Sequence, residues 1–185
     1  MEYILFNRII SNGMKKEVSV LLHNIRSAHN VGSIFRTADT LHVSRIYLSG
    51  HSPTPVDRFG RPVKDIAKTA LGAEKTIPWE YAKTPGKFLR RCKKDGFIIL
   101  GVEQDKHALD YKSYRPGKKT LVIVGNEIEG IPKDLRKKCD VLVEIPMRGS
   151  MVRQAHHPHS TQRGKESLNV SVAFGIALFR LFDQK

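Results

Sequence analysis

The chain has 185 residues, 40% hydrophobic and 27% charged, which is ordinary for one globular domain able to bury a core. Its 32 Lys and Arg against 18 Asp and Glu give a formal net charge of +14, pointing to a polyanionic partner, nucleic acid ahead of an acidic membrane surface. Cys92 and Cys139 are the only cysteines and no CxxC occurs, which excludes a disulfide framework and argues against a zinc site.

The first residues, Met1-Glu-Tyr-Ile-Leu-Phe-Asn-Arg8, lack the basic start and apolar run of a signal peptide. Residues 167–182 fall short of the roughly 20 apolar residues of a spanning helix. A cytoplasmic chain with no membrane contact is expected.

In chain order, 18–22 (VSVLL) is an apolar run expected as the first strand, and 23–29 a loop. Asn30 reads as the cap of a helix reaching about Leu41. Within it Val31, Ile34, Ala38 and Leu41 recur at helical spacing and face the core. Arg36 lies about 140° past Val31, off that stripe. Residues 45–49 read as the second strand, and 51–61, with Pro53, Pro55 and Gly60, as mostly loop. A short helix is expected over 63–71, a short strand over 75–78, and a basic helix over 87–94 after the Pro85-Gly86 break.

Residues 97–102 and 120–124 are continuous apolar runs, as in strands covered on both faces. Pro132 fits the first turn of a helix ending near Lys138. Residues 141–145 read as a buried last strand, stopped by Pro146. Residues 168–182 are apolar on nearly every face, with Ser167 and Asn169 as capping side chains at the start. Such a helix must be buried almost all round, in the core or against a second subunit. Strands alternating with helices define an α/β fold with a mostly parallel sheet flanked by helices, a single domain over 1–185.

No GxGxxG and no Walker A sequence occurs, which argues against a dinucleotide enzyme and a P-loop ATPase. Three other segments do stand out. They are Asn30-Val-Gly-Ser-Ile-Phe-Arg36-Thr-Ala38, Val122-Ile-Val-Gly-Asn-Glu127-Ile-Glu-Gly-Ile-Pro132, and a C-terminal pair, 141–150 (VLVEIPMRGS) with 165–179 (KESLNVSVAFGIALF). In this order and spacing they closely resemble the three motifs of the SPOUT superfamily, in particular the SpoU/TrmH-type RNA 2′-O-ribose methyltransferases. The resemblance runs from about Val18 to Phe182 and includes 68–74 (KTALGAE).

The resemblance implies a C-terminal deep trefoil knot holding S-adenosylmethionine, and a homodimer whose sites are completed across the interface. The positions matching the cofactor site are Gly125, Ile145, Met147, Leu168 and Asn169. Arg36 matches the family's catalytic arginine, which activates the ribose 2′-hydroxyl. A guanidinium with pKa above ~12 is a poor general base, and fixing an RNA phosphate that itself takes the proton needs no such shift. Asn30 would orient the ribose or Arg36, and Glu127 would order the motif around them. Ser167 and Asn169 would hold the cofactor and position the hydroxyl. The implied reaction is methylation of a ribose 2′-hydroxyl, with tRNA preferred over rRNA.

Two basic clusters could track the RNA backbone: Arg58, Arg61, Lys64 and Lys68, and Arg90, Arg91, Lys93 and Lys94. Joining Ser150 to Lys165 would restore an uninterrupted family motif, so 151–164 reads as an insertion. It carries Arg153, Arg163, His156, His157 and His159 and no acid, and its histidines lack a supporting ligand set, so no metal is expected. Lying where the cofactor would bind, the insert keeps open a non-catalytic RNA-binding protein with a disabled site. A SPOUT enzyme methylating an RNA base is the other alternative.

Overall fold

The computed structural model describes residues 16–147 and 167–182. Among them seven strands form one sheet: β1 (Glu17–His23), β2 (Arg45–Ser49), β3 (Trp79–Tyr81), β4 (Ile98–Val102), β5 (Leu109–Asp110), β6 (Lys119–Val124) and β7 (Val141–Glu144). Their order is β3-β2-β1-β6-β4-β7-β5, and every paired neighbour is parallel. The central strands are apolar on both sides because both faces are covered. β1 turns Val18, Val20 and Leu22 to one layer and Leu21 to the other. β6 likewise divides Val122 and Val124 from Leu121 and Ile123.

The first layer holds α1 (Ala28–Thr40), α2 (Lys64–Ala70), α3 (Ala73–Thr76) and α6 (Val170–Phe182), and the second holds α4 (Pro85–Lys94) and α5 (Lys133–Arg136). Helix α1 lies against both α2 and α6. Its contact with α2 depends on Gly32. A Cβ there would collide with the Thr69 hydroxyl and the Ile66 carbonyl. Gly32→Ala is therefore expected to cost about 1–3 kcal/mol by forcing the helices apart. A lowered melting temperature with an unchanged circular dichroism spectrum would show it.

Several local expectations are corrected. Helix α1 starts before Asn30: Ser27 is the cap, its side chain accepting the Asn30 N–H at 3.3 Å. Asn30 thus sits in the first turn with its own amide free to reach elsewhere. Residues 75–78 are not a strand. Leu71 and Gly72, both at positive φ, break the chain after α2. The Glu74 carboxylate then accepts the Gly72 N–H at 3.0 Å and starts the turn of α3. The strand follows at Trp79–Tyr81. The basic helix begins at Pro85 itself, where the missing N–H costs nothing. The two-residue β5 carries no periodicity by which to find it.

The last strand is less covered than expected: Val143 is buried, but Val141, Leu142 and Glu144 are half-buried. Its outer neighbour is only β5, so little shields it on that side. Helix α6 buries Val170, Phe174, Ala177, Leu178 and Leu181, yet leaves Val172, Ile176 and Phe179 about half exposed. Its own core covers one face and not the other. The expected knot threading and the 151–164 insert both involve residues 148–166, which lie outside the described residues. No helix among the described residues is long and apolar enough to cross a membrane.

Candidate active site

The site begins where β6 ends. Gly125 has no room for a side chain, since a Cβ would collide with the backbone of Gly130 and Ile131. Asn126, only 5% exposed, shapes the loop between them. Its Oδ1 accepts the N–H groups of Ile128 (2.8 Å) and Glu129 (3.1 Å), and its Nδ2 donates to the Asn24 carbonyl at 3.1 Å. Gly130, at φ +66, closes the loop by donating its N–H to the Asn126 carbonyl at 2.9 Å. Beyond it the Ile131 N–H reaches the Glu103 carboxylate at 2.5 Å. The turn donors of Ile128, Glu129 and Gly130 are all satisfied by Asn126.

This loop presents Glu127 to the two other motifs. Asn30 Nδ2 donates to Glu127 Oε1 at 2.6 Å, and Asn169 Nδ2 donates to Asn30 Oδ1 at 3.1 Å. The Ser167 hydroxyl donates to the Glu127 carbonyl at 3.0 Å. Asn169 also caps α6, its Oδ1 accepting the N–H groups of Ser171 (2.9 Å) and Val172 (3.4 Å). Ser167 does not cap; it ties the chain before α6 to the β6 loop. Four of the five residues expected to act in catalysis therefore form one network. Arg36 stands apart, exposed, about 9 Å along α1 from Asn30.

Beside the network lies a cavity of about 430 Å³, of the size that takes a small ligand. Of the five positions that the resemblance assigns to the cofactor, Gly125, Ile145, Met147 and Leu168 line it and Asn169 does not. Glu103, Glu127 and Glu129 line it as well. Among the described residues no Lys or Arg does, in a chain of net charge +14. Sequence reasoning gives Glu103 and Asn126 no role of their own, although Asn126 lies within the second motif. The Asn-x-x-x-Gly spacing of 126–130 was the signal for the second, and nothing marked the first.

Burial raises the Glu103 carboxyl above its ordinary 4.5, opposed by the hydrogen bond from the Ile131 backbone. A raised folded-state pKa means the folded chain holds this proton more tightly. Its contribution is full below 4.5 and is lost as pH rises through the folded value. Glu103→Gln cannot ionise. It is expected to melt above the native chain at neutral pH, with the gap closing on acidification below 4.5. A native chain that melts higher at neutral pH would show that its hydrogen bonds fully compensate the burial.

Burial also pushes the Cys92 thiol up to about 11 and that of Cys139 to about 12, leaving both inert as nucleophiles. No group of metal-ligating side chains occurs among the described residues. The basic residues Arg58, Arg61, Lys64, Lys68, Arg90 and Arg91 are all exposed. The structure does not join them into one patch. Lys64 and Lys68 ride on α2, while Arg90 and Arg91 ride on α4 across the sheet.

The sequence profile of the SpoU rRNA Methylase family matches residues 17–153, and the chain belongs to this family of RNA methyltransferases. It is 27% identical over 187 residues to a Staphylococcus haemolyticus (strain JCSC1435) protein assigned as a TrmH family tRNA/rRNA methyltransferase, covering 100% of this chain and 67% of that one. It is 31% identical over 170 residues to the 23S rRNA (guanosine-2′-O-)-methyltransferase RlmB of Ralstonia nicotianae, covering 90% and 58%. The crystal structure of an AdoMet-bound rRNA methyltransferase from Sinorhizobium meliloti matches with a TM-score of 0.73 at 27% identity, covering 90% and 56%. The chain thus spans 56–67% of the length of these relatives.

Proposed function

We propose that this chain is an S-adenosylmethionine-dependent RNA methyltransferase acting on a ribose 2′-hydroxyl, with tRNA the first target to assay and rRNA the second. One observation carries the reading: Asn30, Glu127, Ser167 and Asn169, from three distant motifs, meet at the rim of an acid-lined cavity.

The cavity fits the cofactor on its own chemistry. Its three glutamates in a strongly basic chain suit a cationic small molecule, and Ile145 and Leu168 offer apolar walls. Gly125 lets the loop backbone close tightly enough to cradle it. When bound, S-adenosylmethionine supplies a methyl group on a positively charged sulfur. Asn30, held between Glu127 and Asn169, has a fixed orientation from which to place the ribose. Among the described residues the Arg36 side chain makes no ion pair, so it is available to an RNA phosphate that accepts the hydroxyl proton. The 2′-hydroxyl makes RNA and not DNA the substrate.

The same reading includes a knotted C-terminal segment, a cytoplasmic setting and a homodimer. The exposed stripe Val172, Ile176 and Phe179 supports the dimer, since an apolar row on one helix face is suited to a second copy. Ile176→Glu is expected to convert a dimer to a monomer in sedimentation, with its helical spectrum kept. A native chain already monomeric at micromolar concentration would remove the dimer from this reading.

The test is transfer of a labelled methyl group from S-adenosylmethionine to tRNA and rRNA. Resistance of the adjacent phosphodiester to alkali is expected, as 2′-O-methylation requires; label on a base would favour the base-methylating alternative. Calorimetry with S-adenosylmethionine on the native chain and on a variant lacking 151–164 completes it. Similar affinities are expected. Binding only after the deletion would overturn the enzyme reading and leave an RNA-binding protein.

A further inference from the structure

Between β2 and α2 the chain forms a small hairpin whose tip is more ordered than its composition suggests. Val56 and Pro62 pair in an antiparallel bridge around Asp57-Arg58-Phe59-Gly60-Arg61. The Asp57 N–H donates to the Arg61 carbonyl (2.9 Å), and the Gly60 N–H to the Asp57 carbonyl (3.0 Å). Gly60 turns the chain at φ +77, a conformation that glycine adopts without strain. The Asp57 carboxylate accepts the N–H groups of Phe59 (2.8 Å) and Arg61 (3.0 Å) and the Arg61 guanidinium at 2.7 and 2.8 Å.

That scaffold holds Phe59 outward, 65% exposed, with no core to fill. The guanidiniums of Arg58 and Arg61 lie over the ring, 4.7 and 5.0 Å from its centroid, and Arg58, which makes no ion pair among the described residues, is the one a stacking base would displace. Asp57 is the one acid of the tip, and both its oxygens are engaged by donors of the loop, so it offers little repulsion to an anion. Lys64 and Lys68 continue the positive charge along α2 and are exposed. An exposed ring flanked by cations on a fixed turn has the features of a base-stacking surface: a π-face for a base and charges for its phosphates.

We propose that Phe59 is a stacking platform for one unpaired RNA base, with Arg58 moving off the ring to contact the adjacent phosphate while Arg61 stays paired to Asp57 and holds the turn. The inference rests on the RNA-methyltransferase reading above and adds the kind of RNA: a single-stranded loop or end. Bases inside an A-form helix are stacked on one another and offer no face to the ring.

The test compares the native chain with Phe59→Ala, Phe59→Leu and Phe59→Trp, using a short oligoadenylate and an RNA duplex of equal length. Phe59→Ala and Phe59→Leu are expected to bind the single strand about five- to a hundredfold more weakly. Duplex binding is expected to stay unchanged. So is the salt dependence of single-strand binding, because no phosphate contact is removed. Phe59→Trp is expected to keep its affinity and to show indole emission quenched by oligoadenylate beyond any change at Trp79 in the native chain. A Phe59→Leu variant binding the single strand as tightly as native, or equal losses on single strand and duplex, would overturn the proposal. If the native chain binds and methylates RNA in that case, only the platform is wrong. If it binds neither RNA, the methyltransferase reading fails and the platform with it.

Discussion

Arg36→Ala is expected to lower methyl transfer about a thousandfold, the loss typical of removing one preorganised charge from a reacting centre, with cofactor affinity unchanged. The split follows from position. Arg36 is exposed on α1 and does not line the cavity, whereas Asn30, six residues earlier, is hydrogen-bonded to Glu127, which does. On the proposed reading its guanidinium acts on RNA and not on the small molecule. Arg36→Lys is expected to recover little, because a point charge does not reproduce the planar fork that grips a phosphate. Single-turnover transfer with saturating cofactor, alongside calorimetry, measures both halves. A variant that keeps its rate would remove Arg36 from the chemistry; one that loses cofactor binding would place it in the cavity.

The second large effect is expected at Gly125. Even alanine there puts a carbon into the backbone of Gly130 and Ile131, where no side chain can rotate away. The loop must open, and Asn126, Glu127 and the Ile131–Glu103 hydrogen bond move with it. Gly125→Ala is expected to weaken S-adenosylmethionine binding about ten- to a hundredfold, at a strain of about 1–3 kcal/mol. Calorimetry and thermal melts together separate a displaced loop from a lost fold. Native affinity in a stable variant would mean that the loop relaxes freely and does not form the cradle.

The sheet was legible because its central strands are buried on both faces, and runs such as Thr120 to Val124 admit few other readings. The network was legible for a different reason. Asn30, Glu127, Ser167 and Asn169 are polar residues beside apolar runs, recognisable as three motifs although 97 and 139 positions separate the bonded pairs. What local reasoning misjudged was which polar side chain does which task. Asn30 looked like a cap because asparagine caps well, but Ser27 lay one turn earlier and took that role. Ser167 and Asn169 looked equivalent, and only Asn169 meets the helix. Residues 75–78 were misread because Leu71 enters the left-handed region that composition assigns to glycine. Glu103 gave no signal at all, since one acid after a strand becomes notable only when Gly130 and Ile131 fold back onto it.

The order of the sheet also bears on how the chain reaches its native state. β1, the first described strand, pairs on one side with β2, but its other edge waits for β6. Glu17 is matched with Lys119, 102 positions later. At about 5–20 residues per second of synthesis, that edge stays open for roughly 5–20 s on the ribosome. It leaves unpaired the backbone N–H and C=O groups along one side of a strand that carries Val18, Val20 and Leu22, apolar and β-prone, until β6 is made. Dominance of long-range parallel pairing predicts slow refolding and losses to aggregation that grow with chain concentration. A chaperone that shelters the β1 edge, or slower production at low temperature, is expected to raise the yield of folded chain more than any substitution at the surface.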